Sequence, residues 1–176
     1  MLTHDQLLHL SMAWMPGEKQ FLFSGQEPER GQRIYKQDAA EGEAHAISPD
    51  GARSYFTISP DGSLLALAMG ADYQTYTIPV AGGEPKAVPG IEPGWIPVIF
   101  SPDSHSLYCY RIGDIPLNIQ RVEISTGRST PWKQLMPPDP VGITYLTNVR
   151  ITPDLKSYVY DFQRKLDVLY VVEGLH

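Results

Sequence analysis

Five histidines, one cysteine and a recurring set of aspartates are the residues of this chain best suited to catalysis or metal binding. The histidines, His4, His9, His45, His105 and His176, share no ligand spacing such as His-x-x-x-His, and a zinc site needs several ligands converging on one point. Asp50, Asp61, Asp103 and Asp154 recur at intervals that invite a calcium site on an axis, but calcium wants about six to eight oxygens around one centre. Turns favour aspartate for a simpler reason, the bond its side chain makes to its own backbone. Cys109 lies mid-strand in "SLYCYRI"; alone, it permits neither an internal disulfide nor a multi-cysteine metal site, and it reads as a small buried hydrophobe. No Gly-x-Ser-x-Gly elbow supplies a hydrolase nucleophile. No metal and no cofactor is expected.

The aspartates belong to a repeated phrase. "ISPDGSLLALA" from Ile58, "FSPDSHSLYCY" from Phe100 and "ITPDLKSYVY" from Ile151 share one grammar, and "WMPGEKQFLFSG" from Trp14 is its diverged first copy. Their prolines, Pro16, Pro60, Pro102 and Pro153, stand 44, 42 and 51 residues apart. Downstream turns at Gly42, Gly83 and Gly127 give intervals of 41 and 44, so two independent landmarks report the same period. Proline presets φ, aspartate bonds locally and glycine accepts positive φ, which is what a hairpin turn demands. Glycine is replaced by Ser104 and Leu155 in the third and fourth copies, and Pro16-Gly17 stands for Pro-Asp-Gly in the first. Those turns are expected to be less regular.

Alternation places four strands in the second copy: Tyr55 to Ser59, Leu64 to Met69, Thr75 to Val80 and Lys86 to Val88. Four-stranded antiparallel units at about 40 to 45 residues are the signature of propeller blades. "YFTIS" and "PVIFS" are apolar on both sides, as in sheets covered on both faces. The reading is an all-β chain, a β-propeller of four blade units over residues 13–52, 53–94, 95–146 and 147–176, after an N-terminal segment 1–12. The last unit stops after its third strand, "DVLYVVE", so fifteen strands are legible from Leu10 onward where four blades need sixteen. Either "THDQLLHL" closes a small ring, or the chain is half of an eight-bladed homodimer, since uncovered edges and apolar faces invite self-association.

With 42% hydrophobic residues, the 176-residue chain can bury a real core, and its 16 prolines and 15 glycines are scattered between short apolar runs. A net charge of −6 gives no footprint for nucleic acid or an anionic membrane surface. The N-terminal run lacks a basic leader and is interrupted by Asp5, and no stretch approaches the ~20 apolar residues of a membrane span. A cytoplasmic location is expected for the chain as it stands, and an extracytoplasmic one if it is the tail of a membrane kinase.

The repeated Pro-Asp-Gly hairpins resemble those of TolB-like, WD-repeat-like propellers. "VAGGEPKAVPGIEPGWIPVIFSPDSHSLYCYR", "TGRSTPWKQLMPPDPVGI" and the ending "VRITPDLKSYVYDFQRKLDVLYVVEGLH" look like the C-terminal propeller of acidobacterial-type serine/threonine protein kinases. The resemblance runs from about Trp14 to the end. The kinase motifs themselves, the Gly-rich loop, His-Arg-Asp and Asp-Phe-Gly, do not occur, so kinase activity is not carried over. What the resemblance implies is a sensing or interaction module.

Loops joining the fourth strand to the next first strand, and the second to the third, share one rim and carry binding where propellers bind. Here they hold Arg53, Tyr73, Trp95, Arg111, Asp114 and Tyr145, of which tryptophan, tyrosine and arginine are the usual interface anchors. The alternative for Trp95 and Tyr145 is packing between blades. The expected function is non-enzymatic, binding a protein partner or a small ligand. Two alternatives stay open: a lyase or hydrolase with its site in the axial channel, and a relic fragment of a kinase-linked sensor.

Overall fold

The computed structural model describes residues 7–40 and 42–167. All regular structure among them is β, in fourteen strands. Blade 1 is β1 (Leu8–Trp14), β2 (Gln20–Gln26), β3 (Gln32–Asp38) and β4 (His45–Ala46). Blade 2 is β5 (Ala52–Ile58), β6 (Leu64–Met69), β7 (Gln74–Pro79) and β8 (Lys86–Ala87). Blade 3 is β9 (Trp95–Phe100), β10 (Ser106–Arg111), β11 (Leu117–Glu123) and β12 (Ser129–Leu135), and blade 4 begins with β13 (Ile143–Ile151) and β14 (Tyr158–Arg164). Each sheet is an antiparallel meander in chain order, three of them four-stranded and the last two-stranded among the described residues. The expected third strand of blade 4, "DVLYVVE", lies outside the described residues apart from Asp167. Blade 1 starts earlier than expected: Leu8–Leu10, read from sequence as part of a closing segment, belong to β1, where Leu8 pairs with Gln26 and His9 with Gly25.

The first strands of successive blades pack in series, β1 on β5, β5 on β9 and β9 on β13. The second strands show why. In β6, Leu65, Ala66, Leu67 and Ala68 are all fully buried, which a strand achieves only when both faces of its sheet are covered. Leu65 and Leu67 join Leu22 and Ile34 of blade 1 in one cluster. Ala66 joins Leu107, Cys109 and Val122 of blade 3 in the next. Tyr108 and Tyr110, on the other face of β10, pack with Leu146, Val149 and Ile151 of blade 4. Cys109 is therefore core, and its complete burial pushes the thiol far above its ordinary pKa, leaving it inert.

The hairpins between the first and second strands of blades 2, 3 and 4 repeat atom by atom. Ser59 Oγ donates to Asp61 Oδ1 (2.6 Å) and accepts from Leu64 N–H (2.9 Å), while Asp61 Oδ1 also accepts from Ser63 N–H (3.0 Å). Ser101, Asp103, His105 and Ser106 make the same set, with the His105 N–H donating to the carboxylate, and so do Thr152, Asp154, Lys156 and Ser157, with the Lys156 N–H in that place. The turns of the third and fourth blades are as regular as the second, contrary to expectation: Ser104 (φ 61°) and Leu155 (φ 60°) take the left-handed conformation that Gly62 (φ 74°) takes. Local hydrogen bonds hold them there against the steric cost of a side chain. Asp50 is the exception among the recurring aspartates, since it sits before β5 and ion-pairs with Arg33.

Ser104→Gly should raise the unfolding free energy by about 0.5 kcal/mol or more, and Gly62→Ala should lower it by about 1 kcal/mol, both read by urea denaturation. The Ser59, Ser101 and Thr152 hydroxyls, followed by backbone N–H groups, hold Asp61, Asp103 and Asp154 below the usual carboxylate range. With folded values depressed, their contribution is present above the unfolded pKa of about 3.9 and is lost as pH falls through the folded values. Replacing all three by asparagine should flatten the acid limb of the stability–pH curve.

Candidate functional site

In an up-and-down meander the second-to-third turn of each blade and the loop into the next blade fall at the same end. The six rim residues expected from sequence all lie there, and backbone bonds tie their loops together. Gly94 N–H donates to the Asp72 carbonyl (2.7 Å), and Ile112 N–H donates to the Gly94 carbonyl (2.9 Å). The β6–β7 turn, the loop entering β9 and the β10–β11 turn thus form one connected rim.

Arg53 and Tyr73 are brought together. Arg53 Nε donates to the Gly70 carbonyl (2.8 Å), and its guanidinium lies 5.1 Å from the Tyr73 ring centre, a cation–π distance. Tyr73 holds a left-handed backbone (φ 57°), and its ring lies 6.0 Å from that of Tyr55. Trp95 and Arg111 are cross-strand partners in β9 and β10. The half-buried Trp95 packs on the core between blades 2 and 3, in the interblade role that was its alternative. Arg111 is exposed, its stem 3.9 Å from where a Cβ on Gly94 would stand. Asp114 is half-buried in the β10–β11 turn, and among the described residues its carboxylate has no hydrogen-bond or ion-pair partner.

Tyr145 leads to a group that the loops alone do not reveal. Tyr55 of β5, Tyr110 of β10 and Tyr145, Thr147 and Arg150 of β13 interact across three blades. Burial, above all, pushes Tyr110 up to about 12; its neighbours Tyr55 and Tyr145 add to the shift, while the Thr147 hydroxyl and the Arg150 charge oppose it. Tyr55 is raised by burial first, then by Tyr145 and Tyr73. Such an assembly offers hydroxyl donors, ring faces and two guanidinium groups, Arg53 and Arg150, for holding a polar or anionic group. Its signal in the sequence is the tyrosine two residues after Arg53 and the one before Arg111, inside strands rather than loops.

Among the described residues no three His, Cys, Asp or Glu side chains stand close enough to share a metal ion. His105 is exposed beside Asp103, and His9 stacks on Phe23 at 4.3 Å. His4 and His176 lie outside the described residues. No helix of the described residues is long and apolar enough to cross a membrane.

No protein-family model and no curated protein sequence matches the chain. Solved structures do. TolB from Acinetobacter baumannii superposes with a TM-score of 0.66 at 19% identity over 93% of this chain and 42% of that one. A putative TolB from Agrobacterium tumefaciens gives 0.68 at 19% identity, over 96% of this chain and 65% of that one. An oligogalacturonate lyase from Vibrio parahaemolyticus gives 0.65 at 14% identity, over 96% and 50%. The fold is a TolB-like β-propeller, and the chain spans less than two thirds of the length of each of these proteins.

The buried phenols should be visible in an ultraviolet titration. Tyr110 and, through burial and its bond to Glu27, Tyr35 are raised to about 12, against an unfolded value of about 10. Their contribution to stability is complete below the unfolded value and is lost as pH rises toward the folded one. The titration should show a late phase that Tyr110→Phe diminishes. Thr147→Val should move that phase to still higher pH, because the threonine hydroxyl lowers the Tyr110 value.

Proposed function

We propose that this chain is a non-enzymatic β-propeller module that binds a protein partner or small ligand at the rim formed by Arg53, Tyr73, Arg111 and Tyr145 and the phenols beneath them. The observation that carries the reading is the convergence of Tyr55, Tyr110, Tyr145 and Arg150 from three blades onto one place. Aromatic and arginine anchors so held lose little side-chain entropy on binding. The TolB-like fold supports a module of this kind. The ending that resembles kinase-linked propellers is consistent with a sensing part of a larger or ancestral protein.

A second reading, an enzyme with an axial site, is favoured by the likeness to the oligogalacturonate lyase. The two separate in one pair of assays. A partner recovered on immobilised wild-type chain should be lost on Tyr145→Ala/Arg111→Ala and kept on Arg128→Ala, whose side chain lies beside Asp103 and His105 on the opposite rim, with all three proteins melting alike. Cleavage of oligogalacturonate by the wild-type chain would instead support the enzyme.

A further inference from the structure

Trp95 stands at the rim end of β9 but takes no part in the group formed by Tyr55, Tyr110 and Tyr145. It is half-buried, packing on the cluster between blades 2 and 3, and it also lines a crevice of about 220 Å³. The crevice lies where the loop leaving β8 meets β11 and β12. Its apolar floor is Ile91 and Val122, both buried. Around that floor stand Glu92, Gln120 and Ser129. One end is closed by backbone alone: Gly90 and Gly127, both at positive φ (69° and 74°), meet so closely that neither has room for a Cβ. That contact holds the loop after β8 against the β11–β12 turn, so the walls are set before any ligand arrives.

The polar groups in the crevice are of two kinds. The Ser129 hydroxyl donates to Gln120 Oε1, which leaves the Gln120 Nε2 hydrogens as donors. Among the described residues neither that amide nitrogen, the Trp95 indole N–H nor the Glu92 carboxylate has a partner. Two donors and one charged acceptor thus face one small space. An anion would be repelled by Glu92, and a cation could accept nothing from the two N–H groups. Hydroxyl groups both donate and accept, so a ring carrying several of them matches both kinds at once, with its C–H face against the indole and the apolar floor. The volume, that of roughly seven waters in the liquid, suits one such ring.

We infer that the crevice between blades 2 and 3 binds a neutral monosaccharide unit, with Trp95 as its aromatic wall and Glu92 and Gln120 as its polar anchors. Such a combination of apolar surface with a few placed polar groups is the usual make-up of a small-ligand site. The inference does not rest on the rim.

Tryptophan fluorescence of the full chain reads the site, because of Trp14, Trp95 and Trp132 only Trp95 lines it. Titration with D-glucose, D-galactose and D-mannose should give a saturable change with at least one of them, at a dissociation constant of about a millimolar, as expected of so small a ligand. Glu92→Ala, at an exposed position, should weaken binding about tenfold, the loss of one hydrogen bond to a charged group. Trp95→Phe should abolish the fluorescence change. In case that variant fails to fold, Gln120→Leu is the second arm and should also weaken binding. Val141→Lys, exposed elsewhere, should leave it unchanged. No saturable change with any of the three sugars up to about a hundred times the expected constant would overturn the inference. So would a change that survives Trp95→Phe, binding indifferent to Glu92→Ala, or tighter binding of D-galacturonate or choline than of the neutral sugars.

Discussion

The structure depends on burying both faces of the second strand in each inner blade. A four-stranded sheet of about 40 residues cannot form a core alone, because half its apolar side chains would face water. Leu65 and Leu67 reach blade 1 and Ala66 reaches blade 3, so β6 is stable only as the filling between two sheets. The same holds one blade along for β10, where Leu107 and Cys109 look back and Tyr108 and Tyr110 look forward. Everything else is arranged around that requirement: the turns keep the strands in register, and the rim inherits its positions from them.

The repeat makes much of this legible. Alternation places β6 at Leu64 to Met69, where it lies, and β7 within one residue at each end. Alternation and turn residues are local, and local information is enough when each unit is built alike. β5 begins three residues before its expected start because a register shift between Ala52 and Phe56 lets the strand run on past the point where alternation breaks. The hydroxyl before the turn proline is plain in the sequence at Ser59, Ser101 and Thr152, yet its bonds to aspartate and to the next strand emerge only from the geometry. Ser104 and Leu155 show the converse, since a position can demand the left-handed conformation without holding glycine.

The candidate site is half legible. Arg53 opens β5 and Tyr73 lies in the β6–β7 turn of the same blade, both at the rim end, so a rim reading finds them. Tyr55, Tyr110 and Tyr145 come from three blades, and their meeting depends on how sheets pack rather than on any spacing along the chain. The aspartates illustrate the opposite hazard. Their recurrence suggests a shared ion, but three of them each close their own hairpin with a neighbouring hydroxyl, and repetition in sequence does not mean proximity in space.

Ala66 and Ala68 are the smallest side chains on the buried strand of blade 2, and they face the next blade while the leucines beside them face the previous one. A blade built this way is thin on one side and thick on the other. The angle between neighbouring sheets is then a property of a few methyl groups, and the curvature of the whole array is written in the bulk of residues that never touch solvent. Exchanging alanine for a larger residue at those two positions is a route by which a repeat of constant length could drift from one ring size to another, leaving its turns and its rim intact.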